Sequence, residues 1–259
     1  MDTWNPTLYE RFKREREQPF ADLLALIEPV RSMRIFDLGC GAGHLTRRLH
    51  DTLDAAETVG LDRSARMLDA ARTAAPPDSR LRFELGTIES FAATDQYDLI
   101  FSNAALHWVD DHEGLLARLT AALRPGGQLA FQVPAMHDHA SHIVAEQLTM
   151  TEPFRTAFGG WHRPQPVLPP DEYARLLFRL GFPEPRVRLV IYPHLLADRD
   201  DVIEWMKGTL LTEYEKHLAP DQFAELLEVY RQRVLARLPE ERPFFFPFTR
   251  IMCCARLAA

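Results

Sequence analysis

The residues best equipped for chemistry stand together in Asp37-Leu38-Gly39-Cys40-Gly41-Ala42-Gly43-His44, where a carboxylate at the end of a short apolar run meets glycines at alternate positions. Glycine takes positive φ without steric cost and lets the backbone approach a ligand with no Cβ in the way. A helix opening after such a turn adds unpaired N–H groups. Together they make a cradle for a polar ligand of nucleotide type, and the spacing narrows which one. A dinucleotide-binding turn reads G-x-G-x-x-G, whereas Gly39, Gly41 and Gly43 read G-x-G-x-G, and His44 stands where the last glycine would. Asp37 would meet a pyrophosphate as like charge against like charge, but it suits a cation.

A second acid supports the first. Thr58-Val59-Gly60-Leu61-Asp62 reads as a strand ending in a carboxylate, about 20 residues beyond the glycines, the distance at which a second-strand acid reaches ribose hydroxyls. Arg63 and Met67 follow it, and Ser64 is placed to cap the helix that carries Met67. Tyr97 to Asn103 reads as a buried strand, and Leu123-Arg124-Pro125-Gly126-Gly127-Gln128-Leu129 as a helix end and turn into a fifth strand. A nucleoside carrying an ammonium and a sulfonium but no phosphate satisfies both acids, and S-adenosyl-L-methionine is such a ligand. In these segments and in their order the chain resembles the class I S-adenosylmethionine-dependent methyltransferases, with the glycine turn as their first motif and L-x-P-G-G-x-L as a turn familiar among them. The resemblance implies S-adenosyl-L-methionine as cofactor and S-adenosyl-L-homocysteine as product, with Asp37, Gly39, Gly41, Asp62, Arg63, Met67 and Asn103 as cofactor contacts. Related enzymes often carry an Asp for the adenine amino group where this chain has Thr87, so the Thr87 hydroxyl or the Ile88 backbone N–H is expected to serve instead.

Composition bounds the partners. The chain has 259 residues, 46% of them apolar and 26% charged, an ordinary globular balance with room for a sizeable core. A net charge of −7, with bases interleaved among acids, argues against a nucleic-acid surface. No apolar run approaches the ~20 residues of a membrane helix, and no basic-then-apolar leader is visible. The expectation is a cytoplasmic monomer with no membrane or nucleic-acid partner. Cys40, Cys253 and Cys254 lack metal-ligand spacing, and the adjacent pair reads as buried thiols in a strand.

Strand and helix alternate over 32–133, which calls for a parallel sheet with helices on both faces and strands near 34–37, 57–62, 81–85, 97–103 and 127–133. The fold expected is α/β and Rossmann-like, a single domain built on a mostly parallel seven-stranded sheet. Residues 1–31 form an N-terminal cap helix, 32–133 the cofactor-binding core, 134–247 a late strand and a helical substrate lid, and 248–259 the last strand. Leu8, Phe12, Phe20, Leu23, Leu24 and Ile27 give the cap its apolar face. Its opening, Trp4-Asn5-Pro6-Thr7-Leu8-Tyr9, resembles the N-terminal segment of trans-aconitate methyltransferases, and Trp4 and Tyr9 are expected to close over the cofactor. Beyond Val133, prolines and glycines mark loops around short helices, and His137, His139 and His142, with no Cys or acid cluster nearby, read as a solvated loop rather than a metal site. Helices are expected at 171–181, 200–209 and 220–237, and strands at Val187–Tyr192 and Phe248–Ala255. The lid itself, residues 195–245, is expected over the carboxyl edge of the sheet, where open α/β sheets bind ligands.

Methyl transfer from a sulfonium to a carboxylate brings opposite charges together, and a carboxylate is already ionised at neutral pH, so no general base is needed. Alignment and the exclusion of water supply the rate. Asn103-Ala104-Ala105-Leu106-His107-Trp108-Val109 is similar to the N-A-S-L-Q-W-L stretch of trans-aconitate methyltransferases and to the L-H-W-V of juvenile hormone acid methyltransferases. In the latter a Trp N–H and a Gln near the N-terminus hold the substrate carboxylate, and the resemblance gives that work to Trp108 and Gln18. His107 reads either as a surface or capping histidine or as a base. There are departures: Thr212 and Glu213 stand where trans-aconitate enzymes have Arg and Pro, and Gln18 where they have Arg. Each further carboxylate of a polyacid needs a charge partner once dehydrated, and Arg163, Arg186, Arg188 and Arg250 are available. The prediction is an O-methyltransferase forming the methyl ester of a small, trans-aconitate-like carboxylic acid. The alternatives are a different apolar acid, a hydroxyl or an amine as substrate, or a non-catalytic S-adenosylmethionine-binding protein. A nicotinamide oxidoreductase fits Asp37 and His44 poorly.

Overall fold

The computed structural model describes residues 13–74 and 80–259; Trp4 and Tyr9 lie outside them. The strands are β1 (Arg34–Leu38), β2 (Glu57–Asp62), β3 (Leu81–Leu85), β4 (Tyr97–Asn103), β5 (Leu123–Pro134), β6 (Arg186–Leu196) and β7 (Phe244–Arg256). They form one seven-stranded sheet in the order β3-β2-β1-β4-β5-β7-β6. β1 pairs in parallel with β2 and β4, β2 with β3, and β4 with β5. β7 runs antiparallel to β5, from Gln128 opposite Arg256 to Pro134 opposite Arg250. β1 and β4 are near-continuous apolar runs because helices cover both faces of a parallel sheet. The order of strands reverses between β1 and β4, and the crevice at their carboxyl ends is where such sheets bind ligands. The glycine turn and the segment Asn103 to Trp108 both leave the sheet there.

The helices are α1 (Lys13–Leu24), α2 (His44–Thr52), α3 (Ala65–Ala74), α4 (His112–Ala122), α5 (Ala140–Thr149), α6 (Phe154–Ala157), α7 (Pro170–Arg179), α8 (Asp200–Lys207), α9 (Leu211–Glu215) and α10 (Pro220–Leu235). Two compact units emerge. The sheet unit comprises Arg16–Pro134, Pro166–Val190 and Arg250–Ala259, and the second is built chiefly from Ala135–Gln165 and Ile191–Thr249. β6 and β7 each contribute residues to both. The second unit has its own core, in which Val144, Leu148, Trp205, Tyr230, Phe244 and Phe246 are buried. Among the described residues no helix is long and apolar enough to cross a membrane. Cys253 and Cys254 are buried thiols in β7, and burial pushes both above the usual thiol range.

Several expectations need correction. β5 begins at Leu123, which pairs with Tyr97, so the stretch read as a helix end and turn already belongs to the strand, and the register shifts between Tyr97 and Leu99. β6 runs on to Leu196 and β7 begins at Phe244. Phe244, Phe246 and Phe248 are buried while Phe245 is exposed, but a run of five residues that are all apolar hides that period of two, and Pro193 and Pro247 read as breakers. The three histidines are not a solvated loop. His139 caps α5 by accepting the Ser141 N–H, and His142 is half-buried in that helix; only His137 is exposed. The overlooked signal was Val144, Ala145 and Leu148, one buried face at helical spacing.

Candidate active site

Asp37 points into the sheet unit at the end of β1, buried, where Thr46 from α2 donates to its Oδ2 at 2.6 Å. Burial pushes its pKa up to about 7; the Thr46 hydrogen bond works against that shift and the charge of Asp62 adds to it. Gly39 has φ 78° and donates its N–H to the Leu61 carbonyl at 2.8 Å. A Cβ on Gly39 would stand 2.2 Å from the Ala105 Cβ, so this glycine is what lets the segment after β4 pack on the turn. Gly41 has φ 54°, and among the described residues no atom beyond its chain neighbours lies within 4 Å of where its Cβ would be. The cradle is open on that side. The Gly41 N–H donates to Asp62 Oδ2 at 2.8 Å and the Ser64 N–H to Asp62 Oδ1 at 2.9 Å. Asp62 thus ties the turn to β2, and each of its oxygens keeps a further lone pair for a ligand.

Arg63 is exposed, and Met67 is half-buried with its N–H on the Ser64 hydroxyl at 3.4 Å, the cap expected. Thr87 and Ile88 follow β3. The Thr87 hydroxyl accepts the Ser90 N–H at 3.2 Å and donates to Ser90 Oγ at 3.1 Å, closing a small turn. That turn borders a groove of about 250 Å³ lined by Phe36, Leu61, Leu85, Phe91 and Tyr97 among others.

The segment after β4 is held at both ends. Asn103 Oδ1 accepts from Gln132 Nε2 at 2.8 Å, and Arg250 Nη1 donates to Gln132 Oε1 at 3.0 Å. Ala104 sits at φ 58° and donates its N–H to the Gln132 carbonyl at 3.0 Å. A left-handed alanine costs about 1–2 kcal/mol, a strain of the sort that gathers at functional sites. Leu106–Trp108 is a single 3-10 turn, with the His107 and Trp108 rings 4.7 Å apart. At the start of α4 the buried His112 sets its Nε2 at 3.0 Å from the Leu106 carbonyl and its Nδ1 at 2.5 Å from the Tyr173 hydroxyl of α7. A carbonyl only accepts, so Nε2 carries the proton and Tyr173 donates to Nδ1. Burial lowers the His112 pKa, which keeps the ring neutral.

Gln18 is exposed on α1 and donates to Asp22 at 2.8 Å. Of the arginines offered as charge partners, Arg186 is bound to the Leu26 carbonyl and Glu28, and Arg188 is exposed. Arg163 is half-buried in the second unit, while Arg250 is buried in the sheet unit opposite Pro134. Sequence reasoning missed Thr46, Gln132, His112 and Tyr173. Thr46 alone left a signal, as a polar residue on the buried face of α2.

A model of the methyltransferase domain matches residues 36–131, which takes in both acids, the glycine turn and the segment through Trp108. A trans-aconitate 2-methyltransferase of Deinococcus radiodurans is 44% identical, over 98% of this chain and 98% of that one. This chain belongs to the trans-aconitate 2-methyltransferase family. Another relative of that name, from Variovorax paradoxus, is 38% identical over 89% of this chain and 88% of its own. The YcgJ protein of Bacillus subtilis shares the fold at 16% identity, with a TM-score of 0.63 over 94% of this chain and 99% of that one. As a member of the trans-aconitate 2-methyltransferase family the chain is a methyltransferase, and its strained and clamped Asn103–Trp108 segment lies within the matched stretch.

Proposed function

We propose that this methyltransferase uses S-adenosyl-L-methionine to convert a small, trans-aconitate-like carboxylic acid to its methyl ester, leaving S-adenosyl-L-homocysteine. The observation that carries the reading is Asp37, a buried acid whose ionisation is suppressed by burial, beside a turn that is open at Gly41. An ammonium is what that acid lacks, and the methionine end of the cofactor brings one. Asp37, Gly39 and Gly41 would hold that end, Asp62 with Arg63 and Met67 the ribose, Thr87 and Ile88 the adenine, and Asn103 would complete the cradle. Trp4 and Tyr9 are assigned to close over it. When bound, S-adenosyl-L-methionine supplies a methyl group on a sulfonium, an electrophile that a carboxylate oxygen attacks.

The chain's own work is orientation. The Trp108 indole and the Gln18 amide are neutral donors, which align a carboxylate without the charge quenching that a cation would impose on a nucleophile. The Gln18 amide carries two N–H donors, so the one given to Asp22 leaves a second for this part. His107 stands beside Trp108 and is not needed as a base, because the acid is already ionised. Each donor to a charged group is worth about 1.5–3 kcal/mol, so Trp108→Phe should lower kcat/KM by roughly ten- to a hundred-fold with cofactor affinity nearly intact. The test is methyl-ester formation from a panel of mono-, di- and tricarboxylates. A rate that rises with pH through about 6.5 and is lost in His107→Ala would instead point to a hydroxyl or amine substrate.

A further inference from the structure

Arginine has hydrogen-bond donors and no acceptor, and that asymmetry propagates through the sheet. Arg250, 4% exposed, can only donate to Gln132, so the Gln132 amide must turn its Oε1 toward the guanidinium, as it does at 3.0 Å. Gln132, 1% exposed, then has only its NH2 group to offer Asn103, and it donates to Asn103 Oδ1 at 2.8 Å. With Oδ1 engaged on that side, the Asn103 NH2 group is turned the other way, at the carboxyl end of β4 and beside the crevice where strand order reverses. An amide side chain is ordinarily ambivalent, since rotation by half a turn exchanges donor and acceptor. Here the buried cation removes the choice.

We infer that Arg250, acting through Gln132, fixes Asn103 as an obligate N–H donor, and that Asn103 holds a carboxylate oxygen of a bound ligand. The inference rests on the proposed function for the two carboxylates that site would meet, that of the acid substrate and that of the methionine end of S-adenosyl-L-methionine. Both present the same chemistry to Asn103. A ligand amine or hydroxyl proton would meet that NH2 group donor against donor.

Gln132→Glu tests the inference by inverting the polarity at nearly constant shape. A glutamate accepts from Arg250 and has nothing to donate, so Asn103 must turn its NH2 inward and present Oδ1 to the crevice. Affinity for the ligand whose carboxylate is held there should fall by about ten- to a hundred-fold, the worth of a hydrogen bond to a charged group. The melting temperature should not fall, because the glutamate carboxylate still accepts from Arg250 where the amide oxygen did. Gln132→Met, which removes the relay without reversing it, should lose less than Gln132→Glu; a merely structural role gives the opposite order. Calorimetry with S-adenosyl-L-homocysteine, and with its decarboxylated analogue as the control that should be unaffected, reads the cofactor carboxylate without any turnover. KM for trans-aconitate at saturating cofactor reads the substrate carboxylate. Wild-type values of both in a folded Gln132→Glu variant, or a greater loss in Gln132→Met, would overturn the inference. If the wild-type protein esterifies no acid, the proposed function fails while the calorimetric arm still reports on the relay.

Discussion

The Thr46 hydroxyl donates to Asp37 Oδ2 at 2.6 Å, and this hydrogen bond does not offset what the carboxylate loses by leaving water, because burial still carries its pKa from 3.8 to about 7. The folded protein therefore holds this proton to higher pH than the unfolded chain does. The resulting penalty on stability is absent below about pH 4, grows as pH rises, and is complete above about pH 7, where it amounts to roughly 4 kcal/mol. Asp37→Asn keeps an acceptor for Thr46 and abolishes the charge. It should stabilise the ligand-free protein at pH 8 by a few kcal/mol and scarcely alter it at pH 4. Denaturant unfolding at the two pH values measures the difference, and equal effects at both would exclude a buried, destabilising carboxylate.

The same acid makes cofactor binding a proton-linked event. A bound ammonium favours the ionised form, so below about pH 7 binding must release a proton from Asp37. Affinity for S-adenosyl-L-homocysteine should increase with pH up to about 7 and level off above it, and Asp37→Asn should lose both affinity and slope. Calorimetry in buffers of different ionisation enthalpy counts the proton directly. A flat affinity between pH 5.5 and 8 in the wild type contradicts the assignment.

Asp37 and Asp62 were legible in the sequence because strand ends and glycine turns are local patterns, and the first five strands followed from apolar runs punctuated by turns. The groups that position the site were not. His112 and Tyr173 come from helices distant in sequence, and Gln132 and Arg250 meet only because β7 inserts antiparallel beside β5. No local spacing encodes such meetings. Gln18 owes its role to resemblance alone, and its amide donates to Asp22, one helical turn away.

Gly39 and Gly41 should separate fold from ligand. At Gly39 an added methyl meets Ala105 at 2.2 Å as well as a strained φ, so Gly39→Ala should cost at least about 2–4 kcal/mol of stability. At Gly41 no described residue beyond its chain neighbours comes within 4 Å of the added methyl, so Gly41→Ala should cost only about 1–2 kcal/mol from its positive φ. Its cofactor affinity should nonetheless drop by more than about ten-fold, because the methyl occupies the open side of the cradle. Unfolding curves and calorimetry on both variants decide the matter, and the view of Gly41 as a ligand-facing position does not survive a Gly41→Ala protein with wild-type affinity.

Tyr173 bears on the Leu106–Trp108 turn through His112. Its hydroxyl donates to His112 Nδ1, which commits the ring to an Nε2 proton, and that proton secures the Leu106 carbonyl at 3.0 Å. Tyr173→Phe keeps the ring contacts with Phe131 and His112 but frees the imidazole to move its proton to Nδ1, where it would leave the carbonyl unbound. If Trp108 aligns the acid, a loosened turn should lower kcat by about three- to ten-fold. Cofactor affinity should hold, since the glycine turn is undisturbed. Nitrogen NMR of the His112 imidazole supplies the reading that a purely structural role would not move: one tautomer in the wild type, a mixture in Tyr173→Phe. His112→Gln, which retains a donor for Leu106, should keep more of kcat than His112→Phe. Should Tyr173→Phe show the tautomer mixture with kcat unchanged, the turn needs no such support and the positioning role for His112 and Tyr173 is wrong.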